Sequence, residues 1–206
     1  MGQLFVIHPK NPEQRLIKQA VKIILDGGVV IYPTDSAYAI GCKLENKQAL
    51  ERIRLLRQLD EQHYFTLICK DLSQISTYAT IDNSTFRILK AHTPGPYTFI
   101  LNATREVPRR LLQPKRQTIG IRIPDNQIIQ ALLSELSEPL MSVTLSIPGH
   151  DYPMVNARDI YDVLGNKVDL VIDGGAGSIE PSTIVEMING NPEVVRVGKG
   201  DVSVFS

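Results

Sequence analysis

Three groups of residues in this chain are suited to chemistry. The first is Thr34-Asp35-Ser36, set between Pro33 and an apolar run that resumes at Ala37. Three hydrogen-bonding side chains there interrupt what would otherwise be two buried strands, and short polar groups so placed cap a helix, tighten a turn or hold a ligand. The second is Arg122, a cation in mid-strand within GIRIP. A guanidinium flanked by isoleucines has to meet a carboxylate, a ligand anion or solvent, because an unpaired charge is too costly to bury. The third is the segment 105–122, where Arg105, Arg109, Arg110, Lys115, Arg116 and Arg122 face a single acid, Glu106. Such a cluster is either a solvated basic face or a focus for polyanions such as RNA. The shared chemistry is anion recognition by cations and hydroxyls.

Other chemistries lack their residues. No Gly-x-x-x-x-Gly-Lys-Ser/Thr phosphate loop and no Gly-x-Ser-x-Gly nucleophile elbow occurs. The glycines of DGGAGS precede no helical pattern and read as a turn. His8, His63, His92 and His150 stand apart, and Cys42 and Cys69 each lie in an apolar run, so neither a metal site nor a disulfide framework is expected. No 18-residue apolar run is present, and the N-terminus has neither a basic start nor a small-residue cleavage site. Position 6, Val6, lacks the hydroxyl that a lipidation signal at Gly2 requires. The expectation is a cytoplasmic protein with no membrane association.

The elements that must position these residues follow from hydrophobic period and punctuation. QLFVIHP reads as a strand. A helix follows Pro12, with Leu16, Ala20, Ile23 and Ile24 on one side and Gly27-Gly28 at its close. Residues 29–32 form a strand that Pro33 stops. Asn46 caps a second helix carrying Ala49, Ile53 and Leu56. YFTLIC, YTFILNA, TIGIRIP, LMSVTLS, VDLVID, STIVEMI and EVVRVG read as strands. LSQISTYA, NSTFRILKAH, NQIIQALLSEL and ARDIYDVL read as helices, with a helical turn at VPRRLL. Helices and strands alternate, then strands collect near the end, which fits an α/β sheet of mixed direction better than a parallel one. A chain of 206 residues, 43% hydrophobic, buries one substantial core, roughly 70% of its unfolded surface. With no Pro/Gly/Ser-rich linker and no repeat, residues 1–206 are expected to form one domain. The formal net charge of zero hides 18 basic and 13 acidic residues in 1–150 against 4 and 9 in 151–206.

Four stretches, in order, resemble the YrdC-like family of threonylcarbamoyl-AMP synthases, its YciO branch most closely. YPTDSAYAIGC is similar to that family's Pro-Thr-Asp/Glu-Thr-x-Tyr-Gly-Leu-Gly signature, and HTPGPYTFIL to its Trp-Pro-Gly-Pro-x-Thr lead into a strand. TIGIRIPD resembles its Arg-x-Pro strand and EPSTIVE its Ser-Thr-Ile segment. The resemblance spans essentially the whole chain. It implies a twisted mixed sheet flanked by helices around a basic hollow. Enzymes of the family join L-threonine, bicarbonate and ATP into threonylcarbamoyl-adenylate for modification of tRNA, and members have been associated with double-stranded RNA. By resemblance, Thr34, Thr98, Thr144 and Ser182 would contact threonine. Arg57, Arg122, Ser146 and Arg196 would serve nucleotide phosphates. No tightly bound cofactor is implied, and ATP with magnesium would enter as a substrate. Asp35 and Ser36 are left to fix the turn by local backbone hydrogen bonds. Arg105, Arg109, Arg110, Lys115 and Arg116 are the expected RNA contacts.

Two departures bear on activity. The family's Lys-x-Arg becomes Arg57-Gln58-Leu59, and its Ser-x-Asn becomes Thr144-Leu145-Ser146. Lys70 also stands where many members carry a histidine. A lost charge-assisted hydrogen bond to phosphate costs on the order of 1.5–3 kcal/mol. Two losses felt in the transition state would slow the reaction by about 10²- to 10⁴-fold. The expectation is a protein that binds RNA, nucleotide or both in a basic hollow. The alternatives are a slower synthase or one with a different acceptor.

Overall fold

Alternation along one strand sets the plan of the molecule. The computed structural model describes residues 1–60, 63 and 65–206. In it, β2 (Val30–Tyr32) is buried on both faces. Val29 and Ile31 join one apolar cluster, while Val30 and Tyr32 join another on the opposite side, as the period of two dictates. Pro33 then ends the ladder, having no N–H to donate.

Nine further strands extend this sheet: β1 (Gln3–Val6), β3 (Ala39–Lys43), β4 (Thr66–Ile68), β5 (Tyr97–Asn102), β6 (Thr118–Arg122), β7 (Leu140–Thr144), β8 (Leu170–Asp173), β9 (Thr183–Glu186) and β10 (Glu193–Arg196). Their order across the sheet is β1-β8-β2-β3-β7-β4-β6-β5-β9-β10. The pairs β1/β8, β8/β2, β4/β6 and β5/β9 run parallel and the rest antiparallel. The mixed α/β sheet expected from the element order is the one observed. The predicted strand YFTLIC is described from Phe65 onward; Tyr64 lies outside the described residues.

The helices divide unequally between the faces. α2 (Lys47–Arg57), α3 (Leu72–Tyr78), α4 (Asn83–His92) and α6 (Ala157–Leu164) send Ile53, Ile75, Leu89 and Ile160 into one cluster. α1 (Gln14–Leu25) and α5 (Gln127–Leu136) send Ile17, Ile24, Ile129 and Leu133 into the other. That second cluster draws strand residues from β1, β8 and β2 and from single positions on β3, β4 and β7, but none from β5, β6, β9 or β10. Two helices therefore cover half of a ten-strand face. The other half holds the site.

Side-chain caps fix where several helices begin. Asn46 accepts from the Ala49 N–H, Asn126 from Ile128 and Ile129, and Asn156 from Arg158 and Asp159, each contribution worth about 1 kcal/mol. The first helix starts at Gln14, later than Pro12 indicated, and its N-cap Glu13 makes no side-chain cap bond. α2 ends at Gln58, whose left-handed φ of 52° turns the chain and leaves Arg57 as the last helical residue. Among the described residues, no helix is long and apolar enough to cross a membrane.

Candidate functional site

The uncovered half-face carries small and polar residues where its strands send large apolar ones to the other side. On β6, Ile119 and Ile121 enter the core, while Gly120 and Arg122 face a cavity of about 410 Å³. On β5, Phe99 and Leu101 are core and Thr98 and Ile100 line the cavity. On β7, Met141 packs inward and Ser142 and Thr144 line the cavity. Thr66, Ser182, Arg57 and Arg196 add to the polar part of the wall, and Ala39, Ile68 and Ile184 supply apolar floor. Gly120 is required by closeness. A Cβ built there would lie 2.9 Å from Thr66 Oγ1 and 3.2 Å from Thr98 Cγ2.

The turn after β2 works differently from its expected role. Thr34 holds it locally: its hydroxyl donates to the Ala37 carbonyl at 2.7 Å and accepts from the Ser36 N–H at 3.0 Å. Asp35 and Ser36 reach outward. The Asp35 carboxylate forms an ion pair with Arg122, and the Ser36 hydroxyl accepts from the same Nη2 at 2.8 Å. Thr34 touches the site through Arg122, 3.4 Å away, and is not among the cavity's lining residues. The reason is reach. A threonine hydroxyl folds back on its own turn, whereas a carboxylate one residue on extends to a guanidinium on another strand.

Arg122 thus has its carboxylate, at 6% side-chain exposure against 11% for Asp35. The pair is nearly desolvated, so its attraction has to offset the loss of hydration, and Asp35 adds a bond from the Asp125 N–H at 2.8 Å. Arg57 and Arg196 hold neutral partners instead. Arg57 Nη1 donates to the Ser146 carbonyl at 2.6 Å. Arg196 donates from Nη2 and Nε to the Ser182 carbonyl at 2.8 and 3.2 Å. Burial lowers the pKa of Arg57, and burial followed by the nearby Arg122 charge lowers that of Arg196. Both stay cationic at neutral pH, since an arginine starts so high. Ser146 contributes its carbonyl rather than its hydroxyl and does not line the cavity. The Thr98 and Ser182 hydroxyls bond each other at 2.7 Å.

Several lining residues were not anticipated. Thr66 and Ser142 follow from the same alternation that marks Thr98 and Thr144, read one period along the strands. Ser142 accepts from the fully buried Tyr32 hydroxyl. Asp60 and His63 also line the cavity. Burial, then the Arg57 charge, depresses the His63 pKa, while Asp60 opposes them and Arg54 adds a further lowering.

The basic segment does not form one stripe of free cations. Arg116 pairs with Glu186 at 2.8 Å, and Arg110 approaches Glu45 at 3.5 Å while donating to the Leu44 carbonyl. Arg105 and Arg109 border a separate concavity of about 320 Å³, and Lys115 is exposed. None of these five lines the main cavity. Among the described residues, no His/Cys/Asp/Glu grouping suits a metal ion.

A sheet of this topology with a polar half-face defines a class, and sequence comparison identifies it. The family model for Sua5, YciO and YrdC, described as telomere recombination, matches residues 22–198. The chain belongs to this family. It is 54% identical to YciO of Escherichia coli K12 over all of both chains, and the crystal structure of E. coli YciO superposes with a TM-score of 0.96. It is 29% identical to a threonylcarbamoyl-AMP synthase of Vibrio vulnificus, covering 78% of this chain and 87% of that protein. Sua5 of P. abyssi, solved with L-threonine, shares the fold at 23% identity and a TM-score of 0.87, over 95% of this chain and 57% of that one.

Proposed function

We propose that the cavity binds ATP together with a small amino acid, L-threonine in the first instance, and supports adenylate formation of the synthase type in the cytoplasm at reduced efficiency. The observation that carries this reading is the convergence of Arg57, Arg122 and Arg196 with the hydroxyls of Thr98, Thr144 and Ser182 on one uncovered half-face. Joining threonine, bicarbonate and ATP with release of pyrophosphate and water needs little acid–base machinery from the protein. It needs positioning and neutralisation of phosphate charge, which guanidinium groups and hydroxyls provide. Magnesium would arrive on the nucleotide phosphates. The V. vulnificus synthase and the L-threonine complex of P. abyssi Sua5 support this choice of ligands.

Arg122 enters with its charge already matched by Asp35, so phosphate neutralisation falls to Arg57 and Arg196. With Leu59 in place of the second cation of the Lys-x-Arg pair, the reduced efficiency follows. Incubation with L-threonine, bicarbonate and labelled ATP yields pyrophosphate and a new adenylate above the level of an unrelated protein. Output no higher than that control contradicts the reading. Arg57→Ala weakens ATP about tenfold, the scale of one charge-assisted hydrogen bond.

RNA binding, by double-stranded RNA or tRNA, is a second reading, favoured by Arg105 and Arg109 beside their own concavity and by the exposed Lys115. RNA affinity that falls steeply with salt and drops with Arg109→Glu plus Arg110→Glu supports it. Affinity unchanged by that double substitution removes its site.

A further inference from the structure

The segment after β10 places one more cation beside this cavity, although Lys199 is not itself a lining residue. Its backbone is pinned on both sides of Lys199. The Gly198 N–H donates to Thr183 Oγ1 at 3.0 Å, the Lys199 N–H to the Pro181 carbonyl at 2.9 Å, and Thr183 Oγ1 donates to the Gly200 carbonyl at 2.7 Å. Neither neighbouring glycine has room for a side chain. A Cβ on Gly198 would lie 2.4 Å from the Pro181 oxygen, and one on Gly200 would lie 2.4 Å from the Tyr97 ring. The chain is thereby held against Ser182 and Thr183, at the cavity wall.

From that anchor the exposed Lys199 side chain crosses to the turn after β2, where Nζ donates to the Asp35 main-chain carbonyl at 2.7 Å. Asp35 is the partner of Arg122, and Lys199 lies three residues beyond Arg196. The ammonium is therefore one residue removed from Arg122, which lines the cavity. Its only hydrogen-bond partner among the described residues is that one neutral oxygen, and no ion pair neutralises it. The Asp35 carboxylate is taken by Arg122 and the Asp125 N–H. A lysine has three donors on a flexible four-carbon stem, so an ammonium on a single carbonyl can exchange it for an anion nearby.

We propose that Lys199 is a phosphate-binding residue of this cavity, leaving the Asp35 carbonyl for the terminal phosphates of the bound nucleotide. It supplies a charge that Leu59 does not. The inference rests on the ATP-binding reading above and deepens it by naming the cation for the phosphate end. Arg122 is occupied by the Asp35 carboxylate, whereas Lys199 holds a neutral carbonyl that it can exchange for an anion.

Calorimetric titration with inorganic pyrophosphate and with ATP, and with adenosine as an uncharged control, tests this in the wild type, Lys199→Met, Lys199→Gln and Lys199→Arg. Both neutral variants should bind pyrophosphate and ATP roughly tenfold more weakly, about 1.4 kcal/mol. Lys199→Arg should stay within about threefold of wild type, and adenosine should be unaffected. The deficit should shrink as salt is raised, because the interaction is Coulombic. A lysine that only staples the strap would lower the melting temperature of both neutral variants while leaving pyrophosphate affinity within about twofold, and that result overturns the proposal. If Arg57→Ala weakens ATP binding and the Lys199 variants do not, the cavity reading stands and this inference fails. If the wild type binds neither ATP nor pyrophosphate, both fall together.

Discussion

The two halves of one sheet face show what makes a site here. Where β1, β8 and β2 meet α1 and α5, the inward residues are Phe5, Val30, Tyr32, Leu170 and Ile172, and the helices answer with Ile17, Ile24, Ile128, Leu132 and Leu133. Where β6, β5 and β9 continue the same face, the equivalent positions are Gly120, Arg122, Thr98, Ile100 and Ile184, with Ser182 just before β9, and among the described residues no helix covers them. The backbone pattern is common to both halves and the side chains differ. Large apolar residues draw a helix down because burying them stabilises the fold at about 25 cal/mol per Å². Hydroxyls and guanidinium groups give a helix little to bury and leave a surface for a ligand.

That contrast breaks most sharply at Asp35→Ala. Removing one partner of a nearly desolvated pair leaves Arg122 charged and buried, and chemical denaturation should show a loss of about 3–5 kcal/mol. Adding Arg122→Met should recover much of it. If Asp35→Ala alone costs under about 1 kcal/mol, the pair is not what holds that wall. Next comes the covered half. Leu132→Ala should lose about 2–4 kcal/mol of stability with ATP affinity unchanged, because a cavity opens far from the ligand.

Gly120→Ala sharpens the contrast from the open side. Its new methyl meets Thr66 and Thr98, so stability should fall by about 1–3 kcal/mol and ATP binding should weaken with it. The smallest effect concerns pH. His63 has a folded pKa below its usual value of about 6.5, so between the two values the unfolded chain binds more protons. Stability is then full above about pH 6.5 and declines as pH falls toward the folded value. His63→Gln should flatten that part of a denaturation profile; an unchanged slope would place the titration elsewhere.

Most of the fold was legible because its signals are local. Period-two strands, Asn caps and Pro33 each act within a few residues. The site was legible only where a residue contradicted its strand, as Arg122 does. In the turn after β2, Thr34 makes the local backbone bonds, while Asp35 and Ser36, expected to make them, reach Arg122. Thr34, Asp35 and Ser36 have the same composition whichever side chain points outward, and the choice is made by Arg122 on a strand far along the chain. The segment 105–122 looked unneutralised for a related reason. The acids that pair with Arg110 and Arg116 are Glu45 and Glu186, which only the folded sheet brings close. Thr66 and Ser142 carried a usable signal, being small polar residues in phase with Thr98 and Thr144.

The most direct test of the open half-face is a methyl NMR titration of the isoleucines with ATP and L-threonine. The account predicts shifts at Ile100 and Ile184, which line the cavity, and none at Ile17, Ile24, Ile128 or Ile172 beneath the two helices. Shifts confined to the covered isoleucines, or none anywhere at saturating ATP, would contradict it.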